Sequence, residues 1–143
     1  MIDTKTNRAN EAGWLQLAAL LGLFAVLAGA FGAHALKGHL SAQWFDVYQT
    51  AVSYQMYHAL AMLGVLALGS RVDPVWRRRS LALFGIGTVL FSGSLYLLVL
   101  AGWRPLGVIT PLGGLCLIAG WGCLVLAARK TLRGPETRSG KDD

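Results

Sequence analysis

Three histidines (His34, His39, His58), two cysteines (Cys116, Cys123) and a scatter of hydroxyl and amide side chains are what this chain offers for chemistry. Metal or haem ligation on a helix calls for patterns such as His-x-x-x-His or Glu-x-x-His, which place the ligands on one face. His34 and His39 are five residues apart, a poor spacing for one face, and neither pattern occurs. Ser92 and Ser94 could act as nucleophiles only beside a histidine base oriented by an acid, and no Asp or Glu lies in the segments that surround them. A phosphate-binding loop and a dinucleotide fingerprint are both missing from the sequence. Cys116 and Cys123 are seven residues apart. On a helix that is about 10 Å along the axis, beyond the roughly 7 Å that a disulfide tolerates between Cα atoms. They read as small apolar packing residues. The expectation is a chain with no catalytic constellation, no metal and no cofactor.

The elements that must position these side chains are defined by an absence. Residues 13–33, 50–70, 81–102 and 105–128 contain no Asp, Glu, Lys or Arg, over lengths of 21, 21, 22 and 24 residues. A helix rises about 1.5 Å per residue, so about 20 apolar residues cross the roughly 30 Å hydrocarbon core of a bilayer. A soluble core helix must turn one face to water, and none of these runs has a charged face. Charged residues make up 14% of the chain, against roughly 25% in soluble domains. The expected fold is therefore all-α, an integral membrane four-helix bundle of one domain, with a polar N-terminal tail over 1–12 and a basic, disordered tail over 129–143. The net charge of +6 does not argue for nucleic acid, because the basic residues bracket apolar spans instead of forming a basic domain.

Charge placement orients the spans. Residues 1–12, 71–80 and 129–143 hold eleven of the thirteen basic residues, and the other side holds only Lys37 and Arg104. The positive-inside rule then places both termini and the 71–80 connection in the cytoplasm. Trp14, Trp76, Trp44 and Trp103 fall at the expected headgroup levels; Trp121 is the exception, inside the fourth span. The first span follows Lys5 and Arg8 as a signal peptide would, but its uncharged run to Ala33 is longer than a signal core, so the helix is expected to be retained.

Within the first span, Ala18 and Gly22, Ala25 and Gly29, Ala28 and Gly32, and Gly29 and Ala33 each stand four apart, a spacing of small residues that lets helix backbones approach closely in lipid. The 34–49 connection offers Ser41 as an N-cap. It continues with Trp44, Phe45, Val47 and Tyr48 among polar residues, as a short interfacial amphipathic helix would. One long helix from 42 to 68 is the alternative. Residues 103–104 leave room only for a tight antiparallel hairpin between the third and fourth spans. If the fourth helix begins at Pro105, Pro111 removes the donor for Gly107 and bends it.

Polar side chains converge in depth. His58 is eight residues into the second span and Ser94 eight residues before the end of the third, each about 12 Å below the outer boundary. Gln55, Ser92, Tyr96 and Thr110 lie near that level, with His34 just past the end of the first span. A polar group facing lipid without a partner is costly, so these groups should face the bundle. The candidate cluster is His34, Gln55, His58, Ser92, Ser94, Tyr96 and Thr110. It serves either as a network fixing helix register or as a ligand or ion site, with His58 able to carry a proton near neutral pH.

The runs GAFGAHAL (29–36), TAVSYQMYHALA (50–61), FSGSLY (91–96) and TPLGG (110–114), with GW at 120–121, resemble a family of small bacterial inner-membrane proteins typified by YgdD and YwdK, with mitochondrial relatives. The resemblance spans about 15–128. It implies a four-helix inner-membrane protein and brings no catalytic residues with it. The expected role is a non-enzymatic packing protein, as a homo-oligomer or as an accessory subunit of a larger membrane complex. A small oligomeric transporter or channel with its polar site in the outer half is the alternative.

Overall fold

The computed structural model describes residues 4–132, and all four apolar runs are helical. Helix α1 spans Thr4–Phe31 and widens into a π-helical stretch over Gly32–Leu36. Helix α2 spans Ala42–Leu68, α3 Pro74–Ala101 and α4 Ile109–Leu132. Short 3-10 turns over Gly69–Arg71 and Arg104–Val108 complete the connections. Four segments of 25 to 30 residues are long and apolar enough to cross a membrane.

Local chemistry explains where the helices start and stop. Ser41 caps α2, its hydroxyl accepting from the Trp44 N–H. The Asp73 carboxylate accepts from the N–H groups of Val75 and Trp76 at 3.0 and 3.1 Å, and Pro74 occupies the first helical position, where its missing N–H costs nothing. Gly69 and Gly102 end α2 and α3 with φ of +55° and +65°, a backbone region that side chains with a Cβ avoid.

Four expectations change. The amphipathic stretch after Ser41 is not a separate interfacial helix; it is the first two turns of α2. No Gly or Pro interrupts residues 42–63, so nothing breaks the hydrogen-bond ladder. Residues 4–12 are helical and continue α1 instead of forming a tail; there Glu11 accepts from the Arg77 guanidinium at 2.7 Å, which docks the start of α1 on α3. The α-helical part of α4 begins at Ile109 after a 3-10 turn, so Pro111 lies in its first turn and not six residues inside the helix, and the expected mid-helix bend is replaced by that 3-10 start. Residues 129–132 complete α4; the rest of the expected basic tail, 133–143, lies outside the described residues.

Each helix packs on its chain neighbour, while α1 and α4 form no comparable seam with each other. The central pair α2 and α3 is accordingly the more buried, and α1 and α4 the more exposed. The core joins Ala18, Met62, Val65, Leu81, Phe84 and Leu117. The small residues of α1 face α2: Ala18 and Ala25 are buried, a Cβ on Gly22 would meet Ala59 and one on Gly29 would meet Val52. Between α3 and α4 the approach is closer still. A Cβ on Gly87 would stand 2.6 Å from Leu117, one on Gly120 would stand 2.7 Å from the Phe84 ring, and one on Gly113 would run into the Phe91 backbone. Glu11–Arg77 and Asp73 N–H to Ala127 C=O at 3.3 Å put the start of α1, the α2–α3 connection and the end of α4 at one end of the molecule, here the arginine end.

Candidate functional site

His58 sits mid-span on α2 and is buried. Its Nδ1 lies 2.8 Å from the carbonyl of Tyr54, one turn back. A carbonyl only accepts, so Nδ1 carries the proton and Nε2 is left as an acceptor. Trp121 of α4 fills that role, its indole N–H donating to Nε2 at 3.3 Å. An indole only donates, so the arrangement suits the neutral ring with both nitrogens engaged. Phe84 lies against both rings, with centroids 5.4 Å from His58 and 5.1 Å from Trp121.

One turn toward the far end, Gln55 is also buried. Its amide donates to the Leu21 carbonyl of α1 at 2.8 Å. A helical carbonyl has a second lone pair, so this contact adds to the α1 ladder without breaking it. Two turns further, the Tyr48 hydroxyl donates to the Ala28 carbonyl at 2.7 Å, and its ring packs on Tyr96 with centroids 5.4 Å apart. Between α3 and α4, the Ser94 hydroxyl donates to Phe91 C=O at 2.9 Å and meets the Thr110 hydroxyl at 2.7 Å. Ser94 has one proton, so Thr110 supplies the second bond.

Four of the seven side chains predicted to cluster thus resolve into interhelical ties. Gln55 joins α2 to α1, His58 joins α2 to α4, and Ser94 with Thr110 joins α3 to α4. Ser92 is buried on α3, and among the described residues its hydroxyl, like those of Ser80, Thr88 and Tyr96, has no hydrogen-bond partner. His34 stands apart: it is exposed in the π-helical stretch after α1 and belongs to none of the ties. A cleft of about 490 Å³ opens between α1 and α3 toward the far end, with Tyr48, Gln55 and Tyr96 among Phe24, Phe31 and Leu100.

Two partners escaped the sequence reading. Along the sequence Trp121 is only a tryptophan out of place at mid-span; an indole N–H at that depth needs an acceptor, and that need is the available signal. The amphipathic pattern around Tyr48 assigns it to the interface and hides its burial. Among the described residues, no group of three or more His, Cys, Asp or Glu side chains converges as metal ligands would.

Comparison with known proteins agrees with this architecture. A family model described as a protein of unknown function (DUF423) matches residues 28–114. The UPF0382 membrane protein SH2409 of Staphylococcus haemolyticus is 46% identical over 116 residues, covering 80% of this chain and 93% of its own. The UPF0382 membrane protein SAB0533 of Staphylococcus aureus is 44% identical over the same length. The UPF0382 inner membrane protein YgdD of Escherichia coli K12 is 40% identical over 119 residues, covering 83% of this chain and 91% of its own. No solved structure matches the chain.

Proposed function

This chain belongs to the DUF423 family of multi-pass inner-membrane proteins, and on that premise we propose that it works by packing and not by catalysis, as a homo-oligomer or as an accessory subunit beside a larger membrane complex. Its arginine end faces the cytoplasm in this reading, because the segments 1–12, 71–80 and 129–143 carry eleven of the thirteen basic residues of the sequence. The observation that carries the reading is the engagement of the polar side chains. His58, Gln55, Ser94 and Thr110 each share a hydrogen bond with a neighbouring helix, and His58 and Ser94 also bond carbonyls of their own helices. Such bonds contribute on average about 0.6 kcal/mol each in lipid, enough to select one register without adding much stability. What remains to meet a partner is lateral surface. Helix α1 turns Leu20, Leu23, Phe24 and Leu27 outward, and α4 turns out Leu112, Leu115, Ile118 and Val125.

Native mass spectrometry and crosslinking in isolated membranes test this. The expected result is a dimer or larger species, or a stoichiometric membrane partner; a strict monomer with nothing attached would overturn the proposal.

The transporter or channel reading draws on the cleft beside Tyr48, Gln55 and Tyr96, and on a fourth span whose irregular backbone is the 3-10 start at Arg104–Val108 and not a bend at Pro111. On that reading, replacing His58 and Gln55 by Ala would abolish flux through reconstituted liposomes. On the packing reading, the reconstituted wild-type protein carries no flux to abolish.

A further inference from the structure

Along the α1–α3 interface at the arginine end, two clefts run into each other, sharing Trp14 and Leu17. The mouth, of about 310 Å³, is lined by Asn10, Gly13 and Arg78. The trough below it, of about 320 Å³, is apolar and follows Gly85, Ile86, Val89 and Leu90. Three consecutive arginines stand at this level, in different circumstances. Arg77 is buried and paired with Glu11. Arg79 lies over the Trp76 ring, 4.7 Å from its centre. Arg78 is exposed, lines the mouth and has no ion pair among the described residues.

Length and width point to the occupant. Arg78 to Leu90 is twelve residues, about 18 Å of helix. That is roughly half of a 30 Å hydrocarbon core plus a step into the headgroups, the depth of one leaflet. A helix of a second copy is about 10–12 Å across and would run the whole span, which suits neither the volume nor the ending of the trough. A single acyl chain suits both.

We propose that this cleft holds one anionic phospholipid from the leaflet at the arginine end. Its phosphate sits at Arg78, with the Asn10 amide as a second donor, and one acyl chain lies along the trough against Leu17, Gly85 and Val89. Basic pockets between membrane helices recognise anionic headgroups in this way. The proposal is independent of the packing reading.

The test is native mass spectrometry of the full-length protein in detergent, titrated separately with phosphatidylglycerol and with phosphatidylcholine. One phosphatidylglycerol should bind more tightly than phosphatidylcholine. Arg78→Gln should weaken phosphatidylglycerol about fivefold, the loss of one charge-assisted contact to the phosphate, and weaken phosphatidylcholine by less, because its choline cation offsets the phosphate charge that Arg78 meets. Arg79→Gln, which removes an equal charge one residue away, should leave both unchanged. Ala82→Phe, which places a ring in the trough, should weaken both lipids. Equal wild-type affinity for the two lipids, or equal losses in Arg78→Gln and Arg79→Gln, would overturn the proposal, because either result describes general attraction to a basic surface.

Discussion

The α3–α4 seam and the α1–α2 seam hold helices together by different means. Both use small residues. Between α3 and α4, glycine is required: Gly87, Gly113 and Gly120 each admit a side chain or the backbone of the other helix into the space a Cβ would fill. Between α1 and α2, Gly22 and Gly29 leave ordinary van der Waals room, 3.9 and 3.5 Å from the nearest atoms to a Cβ. There the attachment is supplemented by Gln55 and Tyr48, which hydrogen-bond to backbone carbonyls of α1. In lipid the tails are as apolar as the side chains, so helices associate by close packing and hydrogen bonding and not by hydrophobic burial. One seam relies mainly on contact, with the Ser94–Thr110 bond beside it; the other is looser along Gly22 and Gly29, tight where Gly32 just past α1 meets the Tyr48 ring, and pinned by two polar ties.

That contrast can be broken by substitution. The largest effect is expected for Gly113→Ala, whose methyl group meets the Phe91 backbone, which cannot swing away as a side chain can. The cost should be about 3 kcal/mol, at the upper end of ordinary overpacking, read as a lowered midpoint of unfolding in mixed detergent micelles. A cost under about 0.5 kcal/mol would show that the seam is looser than described. Gln55→Leu comes next. It keeps the volume and removes the tie to Leu21, so about 1 kcal/mol should be lost; an equal loss in a background where α1 is already detached would show that the bond does not act between helices. Gly29→Ala should have the smallest effect, within about 0.5 kcal/mol. Its added contact with Val52 and the better helix propensity of alanine should offset any crowding. A loss as large as that of Gly113→Ala would erase the distinction between the seams.

Much of this was legible along the chain because it depends on neighbours in sequence. The charge-free runs mark the helices, and Ser41 marks the start of α2. The small-residue stripe of the first span announces a packing face, and Gly22, Gly29 and Gly32 do lie against α2, while Ala33 is exposed. Other features were not legible. Residues 42–49 read equally well as a separate interfacial helix and as the start of α2, since amphipathicity is the same in both. Pro111 read as a bend because its effect depends on where α4 begins, and Arg104–Val108 taking the tighter 3-10 turn moved that start by four residues from Pro105. His34 entered the candidate cluster by depth, which ignores the direction in which a side chain points.

By itself, the sequence determined how many helices there are and where the arginine-bearing connections lie, because the solvation cost of a charge in hydrocarbon acts on each segment separately. It also determined that polar groups would need partners. Only the tertiary structure decided which partners: Trp121 for His58, Leu21 for Gln55, Thr110 for Ser94. Those pairings depend on the rotation and register of one helix against another, where a slip of one residue turns a side chain by about 100°. That geometry arises when all the seams close together, and no single segment contains it.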